Sequence, residues 1–271
     1  MNTGADKKLK KLRCILKDLG SAVIAFSGGV DSTFLAKVAR ETLKDKAIAV
    51  TVATPFLSKE EKNSARTMAK SLDIKHLVRE LDLPEEVMLN GPDRCYACKK
   101  TIFVYLRGIA EEKGYNAVIE GSNRDDLGDY RPGKVALKEL RIHSPLLEAG
   151  FTKADIRGFS KMKGLATWDK PSCCCLATRV PYGEEITPSK LRVIDAAESF
   201  LKKLGFGQLR FRLHGDIGRI EVPREDLAGL ISKSPAIGKK LKTFGVKYIC
   251  ADLEGYRTGS MNEALTWKKR K

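Results

Sequence analysis

One short stretch near the amino end constrains the fold of this chain more than any other. Its residues are Ser27, Gly28, Gly29, Val30, Asp31 and Ser32. Apolar, strand-like residues precede it at 22–26, and a helical pattern follows at 33–43. Two glycines let the backbone approach a ligand without a Cβ in the way, and the first N–H groups of a helix have no partner within that helix. A glycine-rich turn between a strand and a helix is typical of a phosphate-binding loop.

Asp31 is the residue of this loop that does not fit a simple anion site. A carboxylate beside phosphate groups is repelled unless a cation lies between them, and Mg²⁺ commonly binds both a carboxylate and substrate phosphates. The spacing is not that of a Walker A loop, which has a lysine before its final Ser or Thr. The third glycine of a dinucleotide fingerprint is also absent. The loop therefore predicts a nucleotide bound with Mg²⁺ at Asp31. It resembles the PP-loop of the ATP pyrophosphatases, which implies that the nucleotide is ATP.

Strand and helix signals alternate through the first part of the chain. Apolar and β-branched runs predict strands at 23–26, 47–53, 75–80 and 117–120, with helical patterns between them. This alternation predicts an α/β fold with a doubly wound parallel sheet, in which ligands bind at the carboxyl ends of the strands. Ala53 and Gly121 lie at two such ends, so we expect both to join the loop in binding ATP.

The pattern changes after about residue 180. Helical signals at 188–204 and 227–232 alternate with short strand signals at 209–213, 219–222 and 248–253. We therefore expect a first domain over residues 1–180, with the PP-loop, and a smaller α+β domain over 181–271 that binds substrate or mediates oligomerisation.

The composition limits the partners of the chain. The net charge of +16 and the isoelectric point near 9.5 would attract polyanions. The basic residues are spread along the chain, however, without an arginine-rich arm, so we do not expect nucleic acid as a partner. No apolar run approaches the roughly 20 residues that span a bilayer, and residues 1–11 are polar and lysine-rich, without a signal-peptide pattern. We expect a cytoplasmic protein that does not bind membranes.

The seven cysteines favour metal binding or thiol chemistry over a disulfide framework in a cytoplasmic chain of this size. Cys14 and Cys250 have apolar neighbours and are expected in the core. Cys95 and Cys98 have the spacing of metal ligands or of a redox pair. Their role stays open between a zinc site, an additional cluster ligand, a disulfide switch and a structural position.

Four further motifs accompany the loop in a specific order. They are Arg94-Cys95-Tyr96-Ala97-Cys98-Lys99, Glu120-Gly121-Ser122-Asn123-Arg124-Asp125-Asp126 with Asp129-Tyr130-Arg131-Pro132-Gly133, Trp168-Asp169-Lys170-Pro171-Ser172, and Cys175-Leu176-Ala177-Thr178-Arg179. Together they resemble the LarE-type ATP-dependent sulfur transferases along nearly the whole chain. The resemblance implies that ATP adenylates a carboxylate of pyridinium biscarboxylic acid mononucleotide, during synthesis of the nickel-pincer nucleotide cofactor. A sulfur nucleophile then displaces AMP and leaves a thiocarboxylate.

The catalytic candidates are Cys173, Cys174 and Cys175. A thiolate is the best nucleophile that a side chain offers at neutral pH, and Arg179 nearby would favour the thiolate of Cys175. The matching family position is a cysteine that gives up its own sulfur and becomes dehydroalanine. Family members with extra cysteines here resemble a variant whose [4Fe–4S] cluster carries the labile sulfur. Three adjacent thiols without a metal are prone to oxidation, so we expect the cluster on this triplet, with a sacrificial Cys175 as the alternative.

Several charged and polar residues are candidates for substrate binding. Arg210 and Arg212 alternate along a predicted strand and would face one side, and guanidinium groups suit bidentate phosphate binding. The resemblance implies that these arginines help to hold the mononucleotide. The predicted substrate-binding residues are Arg94, Asn123, Asp126, Arg131, Arg179, Glu198, Arg210 and Arg212.

Two other functions compete with this interpretation. A tRNA-thiolating PP-loop enzyme shares ATP, cysteines and positive charge, but it should carry an RNA-binding appendage, and no such segment is recognisable. An ATP pyrophosphatase that forms amides from ammonia would not need the cysteine triplet. The expected partners are a small nucleotide substrate and a sulfur donor, and the resemblance implies a homo-oligomer.

Overall fold

The computed structural model describes residues 3–128, 133–171, 174–257 and 259–262. Two predicted site residues, Arg131 and Cys173, lie outside this part of the chain. The described residues form two compact units, one within 3–83 and 95–171 and the other within 84–94 and 174–262. In chain order the helices and strands are α1 (Thr3–Leu19), β1 (Ala22–Ala25), α2 (Val30–Leu43), β2 (Ala47–Ala53), α3 (Lys59–Ser71), β3 (Lys75–Glu80), α4 (Glu85–Met88), α5 (Arg94–Lys113), β4 (Ala117–Ile119), α6 (Gly133–Glu139), α7 (Pro145–Glu148), α8 (Lys153–Met162), α9 (Pro188–Lys203), β5 (Arg210–His214), β6 (Ile217–Glu221), α10 (Leu227–Ser232), α11 (Ser234–Lys242) and β7 (Tyr248–Ala251).

The first unit is built on a parallel sheet with strand order β3-β2-β1-β4. Alternate side chains of a strand point to opposite faces. Ile24 accordingly packs in a cluster with helices α1, α2 and α8, whereas Val23 packs in a second cluster with α5 on the other face. Both faces of the sheet are thus covered by helices, which confirms the predicted α/β fold with a doubly wound parallel sheet.

At the amino end, the structure differs from the sequence-based prediction in two places. Helix α1 is not predicted, because the many lysines hide the apolar stripe that includes Leu12 and Leu16, both of which are fully buried. Helix α2 begins at Val30, so the last three residues of the predicted loop form the first turn of the helix.

No helix of the described chain is long and apolar enough to cross a membrane.

The expectation that Cys14 and Cys250 belong to the core was wrong, because both are exposed. Cys14 lies midway between Leu12 and Leu16, and a two-residue step turns a side chain to the opposite side of a helix. Cys250 lies on β7, where every second side chain is exposed. Apolar neighbours in sequence therefore did not place either thiol inside.

The second unit contains a three-stranded sheet of order β5-β6-β7. Strands β5 and β6 are antiparallel, β6 and β7 are parallel, and α9 packs against β5. The segment 174–183 belongs to this unit, since the buried side-chain amide of Asn90 donates to the carbonyls of Val180 and Pro181. The predicted domain boundary at residue 180 stays a prediction.

Candidate active site

The loop between β1 and α2 is held by hydroxyl groups of its own residues. Ser27 Oγ and Ser32 Oγ lie 3.0 Å apart, and the Gly29 N–H donates to Ser27 Oγ at 3.3 Å. Gly29 is the N-cap of α2, and no described side chain caps that helix end. The first N–H groups of α2 therefore point from the carboxyl end of β1 without a capping side chain, which is the arrangement that binds phosphate.

A neighbouring helix packs directly on the backbone of this loop. Gly28 has a φ of +68°, and a Cβ added there would lie 2.8 Å from the Cα of Ala65 in α3. Gly121, after β4, is similarly tight: an added Cβ would lie 3.2 Å from the Cβ of Asp31 and from the backbone nitrogen of Ser32. Both glycines are thus required by close packing, and Gly121 meets the loop as expected.

Asp31 lies at the centre of a charged cluster. Its carboxylate forms an ion pair with Lys153, the first residue of α8, and accepts a hydrogen bond from Asn123 at 3.4 Å. Burial raises the pKa of Asp31 above its usual range, and the nearby Asp126 acts in the same direction, while Lys153 opposes the shift. The charged form of the Asp31 carboxylate is therefore destabilised in this position, and a cation beside it would stabilise that form.

Lys170 reaches the loop from a more distant part of the first unit. Its ammonium group donates to the Gly28 carbonyl at 3.1 Å and to Ser64 Oγ at 2.9 Å. Arg157, on α8, donates to the carbonyls of Trp168 and Lys170, both at 2.8 Å. Helix α8 thereby fixes the segment that carries Lys170.

The second unit presents two exposed thiols on a backbone that is hydrogen-bonded to a buried arginine. Cys174 and Cys175 are both exposed. The guanidinium of Arg179 donates to the carbonyls of these two cysteines, at 2.8 and 3.1 Å. Arg179 is 1 % exposed and forms two hydrogen bonds with Glu198, at 2.8 and 3.1 Å. The Arg179–Glu198 pair therefore anchors the cysteine backbone to α9.

Similarity to known proteins agrees with this architecture. A family model described as NAD synthase matches residues 9–101, which include the loop. The uncharacterized protein slr1717 of Synechocystis is 42% identical over 96% of this chain and 99% of its own length. The pyridinium-3,5-bisthiocarboxylic acid mononucleotide synthase of Lactiplantibacillus plantarum is 36% identical over 98% of this chain and 97% of its own length. The chain belongs to the LarE-type ATP-dependent sulfur transferase family. The uncharacterized protein MJ0830 of Methanocaldococcus jannaschii is 34% identical over 93% of this chain.

The first unit of this LarE-type protein contains every residue predicted to bind ATP, and also Asn123 and Asp126, which were predicted to bind substrate. The loop, Gly121, Asn123 and Asp126 belong to one neighbourhood, since Asp126 accepts a hydrogen bond from the Asn123 N–H at 2.9 Å. Ala53 ends β2 and is buried, and its carbonyl accepts a hydrogen bond from Leu81. Its place at the carboxyl edge of the sheet agrees with the expectation, and its role in ATP binding stays a prediction.

Arg210 and Arg212, both predicted to bind substrate, lie in the second unit and are buried. Arg212 forms an ion pair with the fully buried Glu221 and donates to the Thr178 carbonyl at 2.8 Å. Arg210 lies over the ring of Tyr256, with 5.0 Å from its guanidinium carbon to the ring centre. Substrate binding by these arginines stays a prediction, and Arg212 already has an internal counter-ion.

Arg94, Cys95 and Cys98 are three further residues singled out by the sequence, and each has contacts or burial within the protein. Arg94 is buried, donates to the Asn90 side chain, and lies 5.0 Å from the ring centre of Tyr182. Cys95 and Cys98 are half-buried in the first turns of α5. Among the described residues, no His, Cys, Asp or Glu lies close enough to Cys95 and Cys98 to act as a third metal ligand. Their role, and the place of Arg94 in substrate binding, stay open.

Lys153 and Lys170 contact Asp31 and the loop, and neither is among the site residues predicted from the sequence. Lys170 belongs to the Trp168–Ser172 motif that the family resemblance rests on, so the motif itself was a signal. Lys153 follows Thr152, a recognisable N-cap, but nothing in its local sequence indicates that its ammonium meets Asp31, 122 residues away.

Proposed function

We propose that this LarE-type protein uses ATP to adenylate a carboxylate of pyridinium biscarboxylic acid mononucleotide and converts it to a thiocarboxylate. The observation that carries the proposal is the near full-length similarity to the pyridinium-3,5-bisthiocarboxylic acid mononucleotide synthase. The uncapped amino end of α2 and the exposed thiols of Cys174 and Cys175 support it, because they offer a phosphate site and a sulfur site.

The first step is adenylation of the substrate. A carboxylate oxygen attacks the α-phosphorus of ATP, the bond from that phosphorus to the β-phosphate oxygen breaks, and pyrophosphate leaves. The loop and the first turn of α2 bind the departing pyrophosphate through backbone N–H groups, which are already oriented before the reaction.

Mg²⁺ is part of the proposal because its ligand chemistry fits Asp31. Burial raises the pKa of this carboxyl, so a divalent cation beside it would stabilise the anion. Asp31 would hold the ion, which would neutralise phosphate charge when bound. Asn123 orients the carboxylate through the hydrogen bond to its other oxygen.

The second step is sulfur transfer to the adenylated carbonyl. In the sacrificial route the Cys175 thiolate attacks that carbonyl and AMP leaves, which gives a thioester. Loss of the Cα proton then breaks the Cβ–S bond, so the substrate leaves as a thiocarboxylate and Cys175 becomes dehydroalanine. The carbonyl contacts of Arg179 hold the backbone of Cys174 and Cys175 during the attack.

A cluster-dependent route is the form of the proposal that we favour. Two adjacent exposed thiols fit the donor chemistry of iron, and Cys173 completes the triplet in sequence. Cys173, Cys174 and Cys175 would hold a [4Fe–4S] cluster, which would supply the transferable sulfur when loaded. This route needs a separate sulfur donor to restore the sulfur, and it keeps the cysteines intact. A reducing, cytoplasmic location and a homo-oligomeric state belong to the same proposal.

Iron and sulfide analysis tests which route operates. The anaerobically reconstituted wild type should contain about four irons per chain, with the visible absorption of a cluster. The variants Cys173→Ala, Cys174→Ala and Cys175→Ala should lose it, whereas Cys14→Ala, at an exposed cysteine of α1, should keep it. Absence of iron from the wild type would overturn the cluster route. Cys175 would then be the donor, and the protein should lose the mass of one H₂S per chain after reaction.

The same variants test sulfur transfer against amide formation. Cys175→Ala should retain substrate-dependent exchange of pyrophosphate into ATP, because adenylation does not use the thiol, and should form no thiocarboxylate. An enzyme that uses ammonia would keep its full activity in this variant, which would contradict the proposed function.

A further inference from the structure

Asn90 is a fully buried residue that binds the backbone shortly after the cysteines. Its side-chain amide donates to the carbonyls of Val180, at 3.3 Å, and Pro181, at 2.7 Å. Its own carbonyl accepts a hydrogen bond from the Gly183 N–H at 3.0 Å, and its side-chain oxygen accepts one from Arg94. All of these partners belong to the second unit. One asparagine thus holds three backbone groups of a short segment.

The backbone conformation of Asn90 restricts the residue type at this position. Its φ is +61°, in the left-handed region that most residues avoid and asparagine tolerates. Glycine also adopts this conformation but has no side chain, and an ionised aspartate accepts hydrogen bonds without donating any. Asparagine therefore satisfies a backbone requirement and a hydrogen-bonding requirement together.

Arg94 is a buried side chain whose guanidinium binds the same segment. It donates to the Asn90 side chain and, at 3.4 Å, to the Ala177 carbonyl. The guanidinium carbon lies 5.0 Å from the ring centre of Tyr182. Only 4 % of Arg94 is exposed. The guanidinium is therefore occupied by groups of the protein and has little surface left for a substrate.

These contacts fix the turn that follows the thiols. A short 3₁₀ helix, Leu176–Arg179, comes directly after Cys175. Arg179 binds the backbone before this turn, at the carbonyls of the two exposed cysteines. Arg94 binds a carbonyl within the turn, and Asn90 binds the backbone after it. The turn is thus held on both sides by contacts that leave the Cys175 thiol exposed.

We propose that Asn90 and Arg94 are positioning residues for the sulfur-transfer step. They hold the turn after Cys175 and thereby set where the cysteine backbone presents its sulfur, and neither touches the substrate. This inference rests on the proposed function, and it gives Arg94 a different role from the substrate binding predicted from the sequence. It applies to both routes, since a sacrificial thiol and a cluster each require the cysteines in a defined place.

The two steps of the reaction separate positioning from substrate binding. Substrate-dependent exchange of pyrophosphate into ATP reports adenylation, whereas thiocarboxylate formation reports sulfur transfer. Arg94→Met and Asn90→Gly should each slow thiocarboxylate formation by about 10- to 100-fold, because a displacement of about 1 Å can cost about 100-fold in rate. The exchange rate and its dependence on substrate concentration should equal those of the wild type.

Hydrogen exchange measures the segment directly. The amides of Gly183 and Ile186 donate to the carbonyls of Asn90 and Met88, at 3.0 and 2.7 Å. Both amides should exchange faster in Asn90→Gly, because loss of the side-chain contacts allows local opening. The amides of α9 should exchange as in the wild type.

Ile237→Val is the matched control for a general loss of stability. Ile237 is a buried side chain of α11 in the same unit. Loss of one methylene group there lowers stability without removing a hydrogen bond. This variant should form thiocarboxylate at the wild-type rate. An equal loss of sulfur transfer in Ile237→Val would contradict the inference, since any destabilisation would then produce the effect.

The remaining outcomes separate this inference from the proposed function. Wild type that forms no thiocarboxylate would overturn both. Wild type that forms it, with unchanged sulfur transfer in Arg94→Met and Asn90→Gly, would overturn only the positioning role. A weaker dependence of pyrophosphate exchange on substrate in Arg94→Met would also overturn it, because that result places Arg94 on the substrate.

A second variant at position 90 keeps the test decisive if Asn90→Gly or Arg94→Met does not fold. Asn90→Asp preserves the size of the side chain, and its ionised carboxylate cannot donate to the two carbonyls. It should slow sulfur transfer and leave pyrophosphate exchange unchanged. Wild-type sulfur transfer in folded Asn90→Asp would contradict the inference.

Discussion

Gly28 and Gly29 are neighbours in the loop with different structural requirements. Gly28 has a positive φ, and an added Cβ would meet the backbone of α3. Gly29 has a φ of −82°, which any residue adopts, and an added Cβ would approach only the Ser27 hydroxyl, at 3.3 Å. The first glycine is therefore required by backbone strain and contact, whereas the second tolerates a side chain.

Gly28→Ala should lower the free energy of unfolding by about 1–3 kcal/mol, the usual cost of a strained backbone conformation. Gly29→Ala should cost less than about 1 kcal/mol, because only an N-cap preference is lost. Denaturant unfolding of both variants measures the difference. Equal stability of the two variants would show that α3 moves away from the loop easily.

At the scale of the element, the amino end of helix α8 is capped, and this helix carries side chains that contact Asp31 and the segment of Lys170. Thr152 and Asp155 form a capping box, in which each side chain binds the backbone N–H of the other residue. Lys8, from α1, adds an ion pair with Asp155 at 2.6 Å. Since α8 carries Lys153 and Arg157, the stability of this cap supports the geometry of the loop.

The cap should give stability a specific pH dependence. Partial burial alone would raise the pKa of Asp155, but hydrogen bonds from Lys8 and Thr152 outweigh it and hold the pKa below its ordinary value of 3.8. The ionised carboxylate thus stabilises the folded state above pH 3.8, and this contribution is lost as the pH falls through the lower folded pKa.

Asp155→Asn should therefore cost about 1 kcal/mol near neutral pH, the usual value of a cap. The difference from wild type should remain constant down to about pH 5 and shrink below pH 4. Unfolding free energies across this range measure it. The exposed Asp82→Asn serves as the control and should show a smaller difference at every pH. A difference for Asp155→Asn that persists in acid would contradict the ionic contribution.

At the scale of the whole molecule, the excess of positive charge is the feature that competes with the proposed function. A net charge of +16 attracts any polyanion, including RNA. We expect tRNA to bind only as a non-specific polyanion, with a dissociation constant of about 10⁻⁴–10⁻⁶ M at physiological salt. Filter binding at two salt concentrations, with single-stranded DNA of equal length as the control, measures this. Much tighter binding of tRNA than of DNA would favour the tRNA-thiolating function.

The loop and the sheet could be predicted because their signals are local. A strand, two glycines and a helix define the turn within about a dozen residues, and the β-branched runs mark the strands of the parallel sheet. Helix caps at Ser58 and Thr152 are also readable from neighbouring residues, and the structure contains both. Backbone preference and side-chain periodicity depend mainly on residues a few positions apart.

The partners of charged side chains were decided by tertiary structure alone. Lys153 and Lys170 meet the loop from 122 and 142 residues away, and Arg179 is paired with Glu198 inside the second unit rather than lying open beside Cys175. Whether a charged residue contacts a ligand, a counter-ion or a carbonyl depends on which distant elements pack beside it. The sequence by itself therefore determined the glycine-rich loop, the parallel sheet and the family, whereas tertiary packing determined which charged side chains surround the loop.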